Sequence, residues 1–376
     1  MKKTFVFVFL VVIMTFTLFG QEVIKIGMNF ELTGPVSGYG QMSRDGVMLA
    51  NKLKPTVNIG GKEIKVEVVA VDNKSDKAEA ANAIRRLIDH EKVVAVIGPA
   101  TSSAALAAAS IAEERQIPMV VNTATNPLVA QNKKYVFRTC FEDTLQGALL
   151  ATFAWEELGA KNVAIMIDVA QDYVVGLANY FEKAFEQFGG TYFTEFYTTG
   201  DQDFTAQLTD ALSKNPDAIF MPGYYAEIAL ICKQARDLGF TGPMFAGDGA
   251  DAPELIQIGG EYVEGVSYTT YFHEDADLSP ATKPFVEAYQ KEYNRRADAF
   301  GALAYDAYMV IVNAIESAQS TDPVKIRDAL AKTKNFPGVA GTITYPEGSG
   351  NPIKPAVINM VENGQFVFRT VIKPSM

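Results

Sequence analysis

Residues 93–110 read VVAVIGPATSSAALAAAS. A β-branched run closing at Ile97 has the composition of a buried strand, Gly98-Pro99 turns the chain, and Thr101-Ser102-Ser103 opens an alanine-rich segment of high helix propensity. Strand, turn and helix in that order make the first part of a βαβ unit, and the next strand follows as MVVN, residues 119–122. The hydroxyls at the turn admit two roles. Ser102 or Ser103 can serve as the helix N-cap, or can join the first-turn N–H groups in holding an anionic group.

The same alternation extends in both directions. Upstream, residues 24–28 and 64–71 read as strands, with helical spacing over 42–54 and 75–89, where Ala80, Ile84, Leu87 and Ile88 share a face. Downstream, strand candidates at 162–167, 191–196, 218–221, 244–246 and 266–270 are separated by helical segments at 173–188, 204–214 and 226–238. Strands that recur with helices between them imply parallel sheets with right-handed crossovers. Two such series predict two doubly wound, Rossmann-like α/β lobes. Residues 280–334 break the rhythm because they are almost entirely helical, and Phe300–Ala318 is apolar nearly all round, as a buried helix is. Two more strand candidates follow at 354–360 and 365–372. No low-complexity linker separates the series, so the chain can cross between lobes more than once through ordered segments.

The bulk properties narrow the function. Residues 1–20 place two lysines before an apolar run that ends at Gly20, the layout of a secretory signal peptide cleaved there. No later stretch is apolar for long enough to span a membrane, so the expectation is a soluble exported protein, periplasmic or extracellular. About 355 mature residues exceed one usual core and call for two domains or more. Without Lys2 and Lys3 the chain carries 31 basic against 44 acidic residues, a net charge of −13 that argues against nucleic acid and anionic membranes as partners. Cys140 and Cys232 allow at most one disulfide; an oxidising compartment permits it, but they share no motif and read as two buried thiols.

Catalytic machinery is sparse. His90 at the end of a charged helix and His273 in a polar loop read as solvated. No nucleophile elbow, phosphate-binding loop or paired CxxC is present. Gly38-Tyr39-Gly40 has no third glycine in register, and DNKSD at 72–76 lacks the central glycine and final glutamate of a calcium loop. These absences weigh against catalysis without excluding it, and the expectation is no enzyme, no cofactor and no metal site. What accumulates at the carboxyl ends of the strands, where open α/β sheets bind ligands, is a set of hydroxyls, aromatics and one acid. Thr101, Ser102 and Ser103 follow one strand, Thr123 and Thr125 the next, Tyr224 and Asp248 two others, and the loop after the first strand supplies Tyr39. Each has a bland reading as cap, turn or lobe surface. Together they offer N–H and hydroxyl donors for a carboxylate, and a threonine oxygen and an aspartate for an ammonium.

In this order and spacing, LTGPVSGYG (32–40), VIGPATSSA (96–104), TATNP (123–127), PGYYAE (222–227) and the interval from Asp168 to Tyr173 resemble the periplasmic leucine/isoleucine/valine-binding proteins, the amino-acid receptors of ABC importers. The resemblance covers essentially the whole mature chain. It implies a type I periplasmic binding protein fold, two lobes joined by a three-crossing hinge, with lobe 1 at residues 21–142 plus 273–353 and lobe 2 at 143–272 plus 354–376. It implies that Ser102 and Thr125, with the backbone of Thr123, hold the carboxylate and ammonium of an amino acid. Asp248 then counters the ammonium, Tyr173 and Tyr224 join on closure, and Tyr39, Ala100, Thr101 and Phe300 build the side-chain pocket. The partners implied are a small amino acid, branched-chain or otherwise apolar, and a membrane permease, with the receptor a monomer. The family's first-lobe disulfide is missing, since Ser75 and Thr101 stand where its cysteines are expected. A receptor for an amide, urea or aromatic acid, or a ligand-sensing module, are the alternatives.

Overall fold

The computed structural model describes residues 23–372; the expected signal peptide lies outside them. Six strands form the first sheet: β1 (Val23–Phe30), β2 (Thr56–Ile59), β3 (Lys62–Asp72), β4 (Ala95–Ile97), β5 (Met119–Val121) and β6 (Val136–Arg138). Their order is β2-β3-β1-β4-β5-β6, parallel except for the β2–β3 hairpin, which turns through Gly60 and Gly61 at φ +61° and +79°. Helices α1 (Ser37–Leu53), α2 (Lys77–Asp89) and α3 (Ser102–Arg115) are the crossovers. The β-branched run of residues 93–97 ends in fully buried Ala95, Val96 and Ile97 at the centre of this sheet, where both faces are covered.

The chain then leaves the first sheet. After α4 (Asp143–Thr152) come β7 (Asn162–Asp168), α5 (Asp172–Gln187), β8 (Thr191–Tyr197), α6 (Thr205–Ser213), β9 (Ala218–Met221), α7 (Tyr225–Asp237), β10 (Met244–Ala246), α8 (Pro253–Gly259) and β11 (Ser267–Thr270). Helices α9 (Thr282–Tyr293), α10 (Ala299–Ala318) and α11 (Pro323–Leu330) follow, before β12 (Ala356–Glu362) and β13 (Gln365–Ile372) close the second sheet in the order β13-β12-β11-β10-β9-β7-β8. Strands β7 to β11 are parallel; β12 and β13 add antiparallel edges. Helix α10 returns to pack along α1 and beneath β4 and β5, so the chain passes between the sheets three times: after β6, after β11 and before β12. The fold is the two-lobed, three-crossing α/β arrangement expected.

Several boundaries differ from the sequence pattern for physical reasons. Helix α1 begins at Ser37 rather than residue 42, which moves Tyr39 from a loop into a helical first turn. Gly38 and Gly40 hide that start from a propensity reading, yet Gly40 is needed because a Cβ there would fall on the Glu31 carbonyl. Strands β2 and β6, of four and three residues, are too short for a periodicity to register. Helix α4 runs on through a π-helical turn at Phe153–Glu157.

Candidate functional site

In each sheet the connections diverge on either side of one strand pair, β1/β4 in the first and β7/β9 in the second. Such a switch point opens a crevice at the carboxyl ends of the strands, and here the two crevices face each other. Tyr39, Ala100, Thr101, Ser102, Thr123 and Phe300 from the first side meet Tyr173, Tyr224, Asp248 and Gly249 from the second around one cavity of about 10 Å³, roughly the room of one water molecule. Nine of the ten residues singled out from the sequence thus line it; Thr125 lies behind the wall, fully buried.

Asp248 is the charged centre. It is 4% exposed, and its carboxylate accepts from the hydroxyl of Tyr271 (2.6 Å), the Gln146 amide (2.8 Å) and the hydroxyl of Tyr173 (2.9 Å). Burial pushes its pKa above the ordinary carboxylate range, against the pull of these donors. The Tyr271 hydroxyl also lies 3.3 Å from the Thr123 carbonyl, so it touches both sides of the cleft at the second crossing. An aromatic wall surrounds the acid. Tyr39 stacks on Phe300 at 4.4 Å and Tyr173 on Tyr224 at 5.5 Å, while the Tyr39 hydroxyl donates to the Gly249 carbonyl. The Tyr224 hydroxyl is buried without a partner.

The start of α3 departs from the capping reading. Thr101 occupies the N-cap position and makes no side-chain cap, and neither serine hydroxyl caps the helix. The Ser102 hydroxyl accepts from the Asn126 N–H (3.1 Å), and the Ser103 hydroxyl accepts from the Asp172 N–H across the cleft (2.9 Å). An anion does sit at the helix start, but it belongs to the chain: fully buried Glu31 accepts from the N–H groups of Ala100 (3.2 Å) and Thr101 (3.1 Å) and from the Thr101 hydroxyl (2.7 Å). Burial raises the Glu31 pKa. Further along the turn, the first-turn N–H groups of Ser102 and Ser103 have no intrahelical acceptor. The Thr123 hydroxyl is spent on the Ala100 carbonyl (2.9 Å).

Behind Thr125 sits Asp143 at the first crossing, fully buried, its backbone N–H donating to the Thr125 carbonyl (3.1 Å). Burial, and next the charge of Asp248, hold its pKa well above the usual range. Glu31, Asp143, Gln146 and Tyr271 were not signalled by the sequence motifs, and Asn126 lay within TATNP (123–127) without being singled out. Only Glu31, directly after β1 at a switch point, carried a positional clue. His273 is 7% exposed rather than solvated: its Nδ1 accepts from the Asp275 N–H, and its Nε2 lies 3.3 Å from the Phe366 carbonyl. Cys140 and Cys232 are buried free thiols whose pKa burial pushes up to about 12. Among the described residues, no group of three His, Cys, Asp or Glu side chains is placed to hold a metal ion, and no helix is long and apolar enough to cross a membrane. The site therefore offers one carboxylate, free helix N–H groups and an aromatic box, a set suited to gripping a small dipolar molecule.

The family model described as periplasmic binding protein matches residues 23–365. The Leu/Ile/Val-binding protein homolog 3 of Brucella melitensis biotype 1 is 32% identical over 329 residues, covering 86% of this chain and 87% of that one. The crystal structure of a leucine binding protein, LivK, from Thermotoga maritima MSB8 is 51% identical, covers 93% of this chain and 99% of its own, and superposes with a TM-score of 0.90. That of the branched-chain amino acid transporter substrate binding protein LivJ of Streptococcus pneumoniae, in complex with isoleucine, is 35% identical over 94% of this chain and 100% of its own, with a TM-score of 0.86.

Proposed function

Because the chain belongs to the periplasmic binding protein family, we propose that it is the extracytoplasmic receptor of an ABC importer and closes its two lobes on a branched-chain or other apolar α-amino acid. The leucine- and isoleucine-binding relatives support the ligand class. The observation that carries it is Asp248, a carboxylate buried in the cleft with three neutral donors and no cation beside it. A ligand ammonium supplies the missing positive charge. Ser102, Thr123 and Thr125 belong to the half that captures the ligand first, with the free N–H groups of α3 facing its carboxylate. Closure then brings Asp248, Tyr173 and Tyr224 onto it, while Tyr39, Ala100, Thr101 and Phe300 bound its side chain. Contacts made only in the closed form are what a ligand can use to shift the population towards closure. The cavity of about 10 Å³ is smaller than any amino acid, so the lobes part to admit the guest. Lobe 1 comprises residues 21–142 plus 273–353 and lobe 2 residues 143–272 plus 354–376. The receptor acts as a monomer, and a membrane permease reads the lobe geometry.

Removing one partner of a buried charge pair costs on the order of 3–5 kcal/mol. Asp248→Ala is expected to abolish leucine and isoleucine binding in titration calorimetry. Near-native affinity in the variant removes the ammonium from the proposal.

A further inference from the structure

On the far side of the second crossing lies a larger cavity, about 470 Å³, whose walls come from both lobes. Pro253 and Ile256 of α8 and Phe366 of β13 supply apolar surface from one side, Ala297 and the start of α10 close the other, and Phe272 of the crossing forms its back. Asp251 lines it, three residues after the Asp248 of the central cleft and turned to the opposite side of the same short loop. Its carboxylate accepts only from two neutral hydroxyls, those of Thr270 and Tyr268 (3.2 Å).

The other charged groups of the cavity are already matched. Arg295 bonds Asp298 (3.0 Å) and Asp45 (2.9 Å), and Arg296 bonds Glu274 (2.5 Å). His273 is committed to backbone groups. Burial first, and then the nearby charges of the acids Asp298 and Asp248, raise the Asp251 pKa to about 7 against the pull of the two hydroxyls. Beside it, Asn359 pairs in register with Tyr268, donates to the Tyr268 hydroxyl (3.4 Å) and leaves its 1%-exposed side chain with a buried oxygen that has no partner. An uncompensated acid and an unpaired amide oxygen around one hydroxyl, at the edge of an apolar cavity, form a receptor for a cationic donor with an apolar body.

We infer that this hinge cavity is a second binding site, for a small primary amine whose ammonium meets Asp251 and whose apolar part fills the space between Ile256, Phe272, Ala297 and Phe366. Because its walls belong to both lobes, an occupant favours the lobe arrangement that builds them and so raises affinity in the central cleft. Linkage makes the effect reciprocal. The central cleft is a different space, and the inference stands on the hinge cavity alone.

The probe is phenethylamine, titrated by calorimetry into the full chain with and without saturating leucine, with phenethyl alcohol as the uncharged control. Binding that persists in leucine, weakens at least tenfold in Asp251→Asn and in Ala297→Phe, and exceeds that of the alcohol at least tenfold supports the site. Ala297 is only half-buried, so the Phe variant tests the cavity even where Asp251→Asn fails to fold. The leucine Kd is expected to fall severalfold with phenethylamine present. No phenethylamine binding at millimolar concentration, full displacement by leucine, or equal binding by both variants overturns the inference. Loss of leucine binding alone bears on the central cleft and leaves the phenethylamine readout intact.

Discussion

The Tyr271 hydroxyl is the shortest of the three donors on Asp248 and the one that also reaches the opposite lobe at Thr123. Tyr271→Phe keeps the ring against Phe141 (4.5 Å) and removes only the hydroxyl. A hydrogen bond to a charged group contributes about 1.5–3 kcal/mol, so the leucine Kd is expected to rise roughly 10- to 100-fold in calorimetry, less than for Asp248→Ala; an unchanged Kd removes Tyr271 from the site. Asp251 titrates on the stability of the whole chain as well. Its folded-state pKa of about 7 lies above the unfolded value near 3.8, so its contribution is complete below about pH 4 and is lost as pH rises towards 7. Wild type should therefore lose ground to Asp251→Asn by about 1.4 kcal/mol per pH unit between pH 5 and 7 in urea denaturation; parallel curves contradict this. Legibility differs sharply between such residues. Asp248, Tyr39 and Tyr224 follow strand ends whose order could be read. Tyr271, Gln146 and Asp143 sit in crossing segments or a helix interior with no motif, and they reach the site only because the chain passes between the sheets. The serine hydroxyls were legible as important and not in their bonds, because their acceptor roles depend on Asn126 and Asp172, brought close by the tertiary fold.

At the scale of elements, the α1–α10 contact positions the aromatic box. A Cβ on Gly46 of α1 would fall on the Gly301 carbonyl of α10, one residue beyond the Phe300 that stacks on Tyr39. Gly46→Ala must push the helices apart. Overpacking of this kind costs about 1–3 kcal/mol, so the midpoint of urea unfolding should drop and the leucine Kd should rise with it, through the displaced Phe300 ring. A drop in stability with no change in Kd would separate the box from the helix spacing. The same helix fixes the approach to the third crossing: buried Asp306 accepts from the N–H groups of Val339 (2.7 Å) and Ala340 (3.2 Å). Helix α10 was the most legible element, since an apolar face all round has one structural meaning. Gly38 and Gly40 at the start of α1 are indistinguishable in sequence from turn glycines, and this is why the sequence pattern begins α1 five residues late.

For the whole molecule, closure is carried by few polar contacts outside the cavity. Asn126 donates to the Asp172 carbonyl (2.8 Å), the Asp172 N–H donates to Ser103 (2.9 Å), and the Tyr225 hydroxyl donates to the Pro35 carbonyl (2.9 Å). Each joins residues of different sheets, so each is broken when the lobes part. Their free energy counts only in the closed form, and the affinity for a ligand that selects that form carries it in full. Tyr225→Phe leaves the central lining intact and deletes one neutral hydrogen bond, a loss of about 0.5–1.5 kcal/mol. The leucine Kd is expected to rise about 2- to 12-fold, while small-angle scattering at saturating leucine gives the same radius of gyration as wild type. A larger saturated radius would mean that the Tyr225 contact sets the closed geometry itself, and an unchanged Kd would mean that the bond survives opening. Either result would relocate the axis about which the lobes move.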